Sequence, residues 1–400
     1  MRMGKGKKFL TLVAVLAAVA LVVTGCGGTT GGTTGGTTAV TVKIGIGAPI
    51  TQGATALGLG MERGAKLAIA DMNKSAEAKA AGITFVGVTG DDQGDPKVGV
   101  NVANQFASDP ALVGVMGHLN SGVSIPSSAV YNRANIVQVS PASTNPQLTL
   151  QGFKNVFRVC TIDSVQGPAG ADDAVEKLAK KAVFVVDDST PYGTGLADEF
   201  AKEFEAKGGK VLGREKTGDK DTDFKALVTK IKATNPDLVY YGGIYNAGAL
   251  LSKQLKDGGV KVPLMGGDGL YDAQYVELAG AANAEGDFAT SVGLPLDLLP
   301  AGEKFKTEFK AAYPNDEIAA YDAYSYDAAM VIMKAVLVAA KDVTAAKVTS
   351  TEGRTAIIAA TAATNFEGIT GAISFDANGD TTNKAITLYT VKGGAWVPFQ

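Results

Sequence analysis

The protein has 400 residues, 46% of them hydrophobic and 19% charged, a composition typical of a folded globular chain. At this length two domains are expected. The formal charge is −3; four of the 37 basic residues lie within residues 1–25, and the remaining 33 basic and 40 acidic side chains give −7. Phosphate backbones require clustered Lys and Arg, so this acidic balance excludes nucleic acid as a partner.

The N-terminus has the pattern of an export signal. A basic start precedes an apolar run from Phe9 to Val23, which is shorter than the ~20 residues of a membrane span and is typical of a secretory signal. The following "VTGC" resembles the lipobox of bacterial lipoproteins. That resemblance implies a signal peptide over residues 1–25 and lipidation of Cys26 after cleavage. The alternative is an ordinary secretory signal with an incidental cysteine.

Three copies of Gly-Gly-Thr-Thr follow Cys26. They offer no side chain that could bury enough area to offset the entropy of ordering. Residues 26–39 are therefore predicted to be a flexible tether, with a span of roughly 20 Å for twelve residues. These features predict an extracytoplasmic protein that contacts the membrane only through its lipid. The other cysteine, Cys160, has no partner and is expected to be a small buried residue.

From Val40 onward, β-rich runs alternate with helical patterns. After "VTVKIGIGA", Met61, Ala65, Ala68 and Met72 recur at helical spacing. The strand "ITFVGVTGDD" is followed by a helix that Pro96 starts. The strand "ALVGVMG", the helical "GVSIPSSAVYNRAN" and the strand "IVQVS" complete this block.

The alternation restarts after Cys160. Helices are predicted over 164–180, 194–207, 223–234, 246–257 and 272–279, separated by the strands "KAVFVVDDS", "KVLGREK", "PDLVYYGG", "VPLMGGD" and "DFATSV". Helices follow over 302–312, 321–341 and 352–363. The Asn378-Gly379 turn predicts a hairpin between "AISFDANGD" and "AITLYTVKGG".

The strands are mostly continuous apolar runs, and amphipathic helices separate them. This pattern is typical of parallel sheets covered on both faces. The predicted fold class is therefore α/β, with two doubly wound parallel-sheet lobes. In such sheets ligands bind outside the carboxyl ends of the strands, so the segments that follow the strands are the candidate site.

The residues argue against an enzyme. His118 is the only histidine, and neither G-x-S-x-G nor a P-loop occurs. The glycines of "GLGMERG" do not match a dinucleotide motif, and one His with one Cys in the folded body does not predict a metal site. The acidic pairs at 91–92 and 187–188 are interpreted as solvated strand ends and helix N-terminal charges. No catalytic residue, metal or cofactor is expected.

Three segments that follow strands indicate a binding cleft. "GHLNSGVSIPSS" and "SPASTNPQLT" offer hydroxyls and free N–H groups near a helix start, which can hold a carboxylate without a full cation. "LMGGDGLYD" places Asp268 on a closely turning loop, where its carboxylate could pair with an ammonium. Taken singly, the first two could be simple N-caps and the third a surface turn. Together they predict a site for a zwitterionic amino acid.

The same segments resemble the branched-chain (aliphatic) amino-acid binding proteins of ABC importers. The similarity covers essentially residues 41–400 and is carried by "TGDDQGDP", "GHLNSG", "SPASTNPQLT", "DDSTPYGTGLA", "LVYYGG", "MGGDGLYD" and "ISFDANGD". It implies a type I periplasmic-binding fold, in which two lobes joined by three crossovers close around one amino acid. It also implies a separate permease and separate ATPases, since this chain has no P-loop.

The resemblance assigns roles in the first lobe. Ser121 is similar to the serine that donates to the ligand carboxylate. Ala142 matches the residue whose backbone carbonyl accepts from the ligand ammonium. Thr144 matches the residue that holds both charged groups, and Ser143 lies between these two.

In the second lobe, Tyr192 is similar to the tyrosine that closes over the ligand. Asp268 stands where the family has an acidic residue, often Glu, for the ammonium. Because Asp is one methylene shorter, the loop must approach more closely, which the glycines at 266 and 267 permit. Tyr321 is similar to an aromatic wall of the side-chain pocket.

The chain also departs from the family pattern. Leu57 and Ile244 stand where some members have Tyr, and Tyr245 follows Ile244. Some members bridge the first lobe with a disulfide, for which this chain has Gly94 and Asn120. Because Leu57 and Ile244 change the pocket wall, the ligand side chain that the site prefers stays open. The predicted recognition of the amino-acid backbone is not affected.

The resemblance and the two strand–helix blocks predict crossovers near 161, 291 and 380. The N-terminal lobe is expected to comprise 40–161 and 291–380, and the C-terminal lobe 162–290 and 381–400.

A monomer is expected. The alternative function is a sensor of the same fold that delivers a ligand signal to a membrane receptor.

Overall fold

The computed structural model describes residues 39–399. The predicted signal peptide, the lipobox with Cys26, and the tether up to residue 38 lie outside the described residues. Within the described chain, helices and strands alternate, as the sequence pattern predicts.

The first sheet has five parallel strands in the order β2-β1-β3-β4-β5. Its strands are β1 Val40–Ala48, β2 Ile83–Asp91, β3 Leu112–Gly117, β4 Val137–Ser140 and β5 Val156–Arg158. Every residue of β3, β4 and β5 is buried, as expected for a parallel sheet with both faces covered.

The second sheet has seven strands in the order β14-β13-β10-β9-β8-β6-β7. Strands β6 to β10 are parallel, and β13 and β14 add an antiparallel edge. The bounds are β6 Ala182–Asp187, β7 Lys210–Lys216, β8 Leu238–Gly242, β9 Leu264–Gly266, β10 Phe288–Val292, β13 Ile386–Lys392 and β14 Ala395–Pro398. The strands β11 Asn365–Gly368 and β12 Gly371–Ser374 form a separate hairpin.

Helices connect the strands and cover the sheets. In the first half they are α1 Thr55–Lys74, α2 Ala76–Ala81, α3 Pro96–Ser108, α4 Ser121–Arg133, α5 Gln147–Leu150, α6 Asp163–Asp172 and α7 Pro191–Ala206. In the second half they are α8 Lys225–Thr234, α9 Tyr245–Asp257, α10 Ala273–Ala279, α11 Ala281–Ala284, α12 Gly302–Ala312, α13 Asp322–Val343 and α14 Thr351–Ala362. A π-helical turn, Asp173–Lys177, extends α6. The predicted α/β class with parallel sheets is confirmed.

The predicted start of α3 and the predicted buried face of α1 are both present. Pro96 occupies the first turn of α3, and Asp95 accepts from the Lys97 and Val98 amides as its N-cap. The predicted core face of α1 is confirmed, because Met61, Ala65, Ala68 and Met72 are all buried. Cys160 is also fully buried, and burial raises the pKa of its thiol.

Among the described residues, one helix is long and apolar enough to cross a membrane. It is α13, and 78% of its most apolar window is buried inside the protein. It contacts β3 and β4 of the first sheet as well as α1. The apolar side chains of α13 therefore form part of the protein core.

The predicted C-terminal hairpin forms only next to its turn, through one antiparallel bridge between Phe375 and Thr381, and its two strands do not pair further. The Asn378-Gly379 turn does form, since the Gly379 amide donates to the Asp376 carbonyl at 3.0 Å. However, β12 pairs with β11 before the turn, and β13 pairs with β10 and β14 after it. A turn motif specifies a local reversal, whereas strand partners depend on which sheet edge lies nearby.

The interpretation of the acidic pairs as solvated strand ends needs correction. Asp92, Asp187 and Asp188 are buried. Asp187 pairs with Arg214 at 3.0 Å, and Asp188 accepts from the Thr190 amide at 2.9 Å. These carboxylates therefore hold the turns after their strands through internal partners, as buried charges require.

Candidate functional site

A cleft of about 670 Å³ lies where the carboxyl ends of the two sheets meet. It is lined by segments that follow β1 to β4 of the first sheet and β6 to β9 of the second, together with Tyr321 before α13. This is the location expected for a ligand of open parallel sheets, and its volume suits a small molecule.

Asp268 is a buried acidic residue in the cleft wall. It follows β9 and is 1% exposed. The Tyr192 hydroxyl donates to its Oδ1 at 2.8 Å, and the Tyr321 hydroxyl donates to its Oδ2. Burial raises the pKa of Asp268, although the two tyrosine hydroxyls oppose this by stabilising the charge. The structure thus brings together three of the predicted site residues in one hydrogen-bonded group.

Gly267 lets the loop that carries Asp268 pack closely against α7. A Cβ placed on Gly267 would lie 2.3 Å from Leu196 Cδ2 and 2.8 Å from the Tyr192 hydroxyl. The Gly269 amide donates to that same hydroxyl at 3.0 Å. A side chain at 267 would therefore clash with Leu196 and with the Tyr192 hydroxyl that donates to Asp268.

Ser121 and Ala142 supply the opposite wall from the first sheet. Ser121 is the first residue of α4, where free backbone N–H groups and the helix dipole favour an anion. Its hydroxyl oxygen accepts from the Asn145 amide at 3.2 Å, which leaves the hydroxyl hydrogen free to donate. Among the described residues none donates to the Ala142 carbonyl. These two groups offer a donor and an acceptor to the cleft.

Ser143 and Thr144 are buried next to this wall but are not among the residues that line the cleft. The Ser143 hydroxyl lies 2.9 Å from the Leu119 carbonyl and 2.6 Å from Ser124 Oγ. The Thr144 hydroxyl has no hydrogen-bond partner among the described residues. Ligand contacts by these two residues stay a prediction.

Arg158 organises the loop that carries these residues, and sequence analysis missed it. Its guanidinium is fully buried and donates to the carbonyls of Ser143 at 2.7 Å and Asn145 at 2.9 Å. It also donates to Asp380 Oδ1 at 2.6 Å and to Thr149 Oγ1 at 2.7 Å. A lone Arg inside the apolar strand segment "VFRVC" was the available signal, because an arginine is buried only with partners.

The residues that depart from the family pattern also fall at the cleft. Leu57 and Ile244 line it. Tyr245 does not line it; instead the Ala56 amide donates to the Tyr245 hydroxyl at 3.2 Å. A Cβ placed on Gly94 would lie 3.4 Å from Asn120 Oδ1, so these two positions are neighbours.

Direct hydrogen bonds join the segments of the two sheets across the cleft. Asn145 Nδ2 donates to the Pro191 carbonyl at 2.7 Å. Asn246 Nδ2 donates to the Gly53 carbonyl at 3.3 Å. Sequence reasoning did not find these contacts, since each joins residues far apart in the chain.

His118 has an internal role. Its ring is fully buried, with Nδ1 2.6 Å from Asp92 Oδ2 and Nε2 2.8 Å from the Tyr131 hydroxyl. Both ring nitrogens are therefore occupied by structural partners. No group of three or more His, Cys, Asp or Glu that could hold a metal ion occurs within residues 39–399.

The fold and the cleft at the meeting edge of the two sheets are those of a solute-binding protein. The chain belongs to the periplasmic binding protein family, whose model matches residues 41–395. It is 34% identical to "Leu/Ile/Val-binding protein homolog 1" of Brucella melitensis over 356 residues, which cover 88% of this chain and 91% of that protein. It is 33% identical to "Amino acid binding protein" of Pseudomonas aeruginosa over 285 residues, which cover 71% and 75% of the two chains.

Solved structures agree with this assignment. The leucine binding protein LivK of Thermotoga maritima superposes with a TM-score of 0.80 and 29% identity, covering 90% of this chain and 98% of that one. The branched-chain amino acid transporter substrate binding protein LivJ of Streptococcus pneumoniae, in complex with isoleucine, gives 0.78 and 26%, covering 90% and 100%. The fold is that of the type I periplasmic-binding proteins. The protein is thus an extracytoplasmic binding protein and not an enzyme.

Proposed function

We propose that the protein captures an aliphatic L-amino acid in the cleft and delivers it to an ABC importer. The observation that carries this proposal is the buried Asp268 carboxylate in the same cleft as Ser121 at the start of α4. A buried charge is costly unless it is paired. A zwitterion supplies both complements, an ammonium for Asp268 and a carboxylate for the helix start.

The proposed residue roles rest on the family resemblance, and the position of Ser121, Ala142 and Asp268 at the cleft supports them. Ser121 and Thr144 hold the ligand carboxylate, and Asp268 with the Ala142 carbonyl holds the ammonium. Thr144 also contacts the ammonium, and Ser143 positions the loop between these residues.

The tyrosines and the apolar residues act on the rest of the ligand. Tyr192 closes over it and, with Tyr321, holds Asp268. Leu57, Ile244 and the Tyr321 ring provide the apolar wall, which favours an aliphatic side chain. The names of the relatives, which specify Leu, Ile and Val, support this choice.

Two lobes, 40–161 with 291–380 and 162–290 with 381–400, are proposed to open and close around the ligand. The strand grouping supports this division, since β1 to β5 form one sheet and β6 to β9 belong to the other. The crossovers near 161, 291 and 380 would act as the hinge. The contacts of Asn145 with Pro191 and of Asn246 with Gly53 would hold the closed form.

The closed form is proposed to act as a monomer and to present the ligand to a permease with separate ATPases. The alternative is a sensor of the same fold that signals to a membrane receptor. Both functions use the same ligand chemistry, so the partner distinguishes them. Permease and ATPase genes beside this one would favour transport.

Thermal unfolding tests the ligand class. The protein is stripped of ligand by unfolding and refolding, and then heated with each of the twenty L-amino acids and a few amides. A ligand at ~1,000 times its dissociation constant stabilises the folded state by ~4 kcal/mol. We expect the largest rise in Tm with Leu, Ile or Val. No rise with any amino acid would overturn the ligand while leaving the fold unaffected.

The proposed lipid anchor rests on Cys26 and the lipobox pattern. Replacing Cys26 by serine removes the thiol that the lipid would modify, so the Cys26→Ser protein is expected in the soluble fraction after cell lysis. The matched control is Cys160→Ser, which should stay with the membranes because it changes only a buried residue. A Cys26→Ser protein that still sediments with membranes would contradict the anchor.

A further inference from the structure

Asp163 is a buried carboxyl group that the proposed binding scheme does not use. It is the first residue of α6, at the point where the chain passes from β5 of the first sheet toward β6 of the second. Its side chain is fully buried, and neither of its carboxyl oxygens has a hydrogen-bond partner among the described residues. An ionised carboxylate is strongly disfavoured in such a position.

Thr144 is its immediate neighbour. The Asp163 amide donates to the Thr144 carbonyl at 2.9 Å, so the two residues are hydrogen-bonded through their backbones. The Thr144 hydroxyl is also buried without a partner among residues 39–399. It lies close enough to Asp163 to lower the pKa of that carboxyl. The two side chains are therefore close enough to form a hydrogen bond with each other.

We propose that Asp163 is a positioning residue that decides whether the Thr144 hydroxyl can donate to the ligand. When Asp163 is protonated, its O–H donates to Thr144 Oγ1, and the hydroxyl hydrogen of Thr144 stays free for the ligand carboxylate. When Asp163 is ionised, its carboxylate can only accept a hydrogen bond. The Thr144 hydroxyl then donates to Asp163 and is no longer available to the ligand carboxylate. This inference rests on the proposed function, because it assigns the orientation of one of its binding groups.

The surroundings of Asp163 raise the pH at which its carboxyl group loses its proton. Burial raises the pKa of Asp163 to about 8, and the charges of Asp268 and Glu199 act in the same direction. Arg158 opposes them. Two buried tyrosines, Tyr192 and Tyr240, also interact electrostatically with Asp163, and burial raises their own pKa values well above the usual range.

The sign of the pH effect follows. Below about pH 8 Asp163 is protonated and Thr144 is available, so this contribution to affinity is present; it is lost as the pH rises through that value. Asp268 has the opposite effect, because its ionisation strengthens ammonium binding as the pH rises. Comparison with a variant that cannot titrate at 163 separates the two.

The test is calorimetric titration of the refolded, ligand-free protein with L-leucine between pH 6.5 and 9. The variant is Asp163→Asn, whose amide keeps a donor for Thr144 at every pH. Relative to this variant, we expect wild-type affinity to fall by about tenfold over the range, since one hydrogen bond to a charged group is lost. Thr144→Ser should keep the pH effect, and Thr144→Val should bind more weakly and lack it.

Parallel pH profiles for the wild type and Asp163→Asn would overturn the inference while leaving the proposed function intact. If Asp163→Asn does not fold, the two Thr144 variants decide. A pH effect that persists in Thr144→Val would then overturn the inference. If the wild type does not bind leucine at any pH, the proposed function fails for this ligand, and the inference fails with it.

Discussion

Replacing Asp268 by asparagine is expected to weaken amino-acid binding at least tenfold, about 1.4 kcal/mol or more. Asparagine keeps the size of the side chain and can still accept from one tyrosine. It loses the negative charge that pairs with the ligand ammonium in a site where Asp268 is 1% exposed. Charge-assisted hydrogen bonds are roughly twice as strong as neutral ones. Replacing the carboxylate by an amide therefore weakens the hydrogen bond to the ligand ammonium, and with it the affinity. Isothermal titration calorimetry measures the change in Kd.

Asp219→Asn is the matched control for Asp268→Asn. Asp219 also lines the cleft, but its side chain is exposed to solvent, where water screens its charge. We expect a change in Kd of less than about twofold for this control. Equal affinities for Asp268→Asn and the wild type would show that Asp268 is not the ammonium partner.

Replacing Arg158 by methionine is expected to lower the free energy of unfolding by about 3–5 kcal/mol. Arg158 is fully buried, and its guanidinium is the ion-pair partner of Asp380. Methionine fills much of the volume but leaves a buried carboxylate without a cation. It also removes the donors of the Ser143 and Asn145 carbonyls, which hold the proposed ligand loop. Urea unfolding measures the loss.

The double variant Arg158→Met with Asp380→Asn isolates the charge. Because it removes both partners, it should be less destabilised than the sum of the single variants. Strict additivity would show that the pair does not interact. A loss below about 1 kcal/mol for Arg158→Met alone would contradict the role of a buried charge network.

Much of the site could be predicted because its residues follow strands. Parallel sheets bring the carboxyl ends of their strands to one edge, so the segments that hold Ser121, Ala142 and Asp268 could be expected at the sheet edges from local patterns. The roles of the individual residues, and the choice of Tyr192, came from the family resemblance. The structure places all four around one cleft. The hydrogen bonds from Tyr192 and Tyr321 to Asp268 could not be derived, because they depend on how residues that are 76 and 53 positions apart in the chain, respectively, approach each other.

The amino-acid sequence by itself determined the order and type of most helices and strands, since hydrophobic periodicity and caps such as Asp95 act within a few residues. It also limited any histidine-based catalytic group to His118, the only histidine of the chain. Only the tertiary structure decided the partners of β12 and β13, the burial of Asp187 and Asp188, and the network around Arg158. These features depend on which distant segments meet, and the free energy of such contacts is not encoded in any short stretch of sequence.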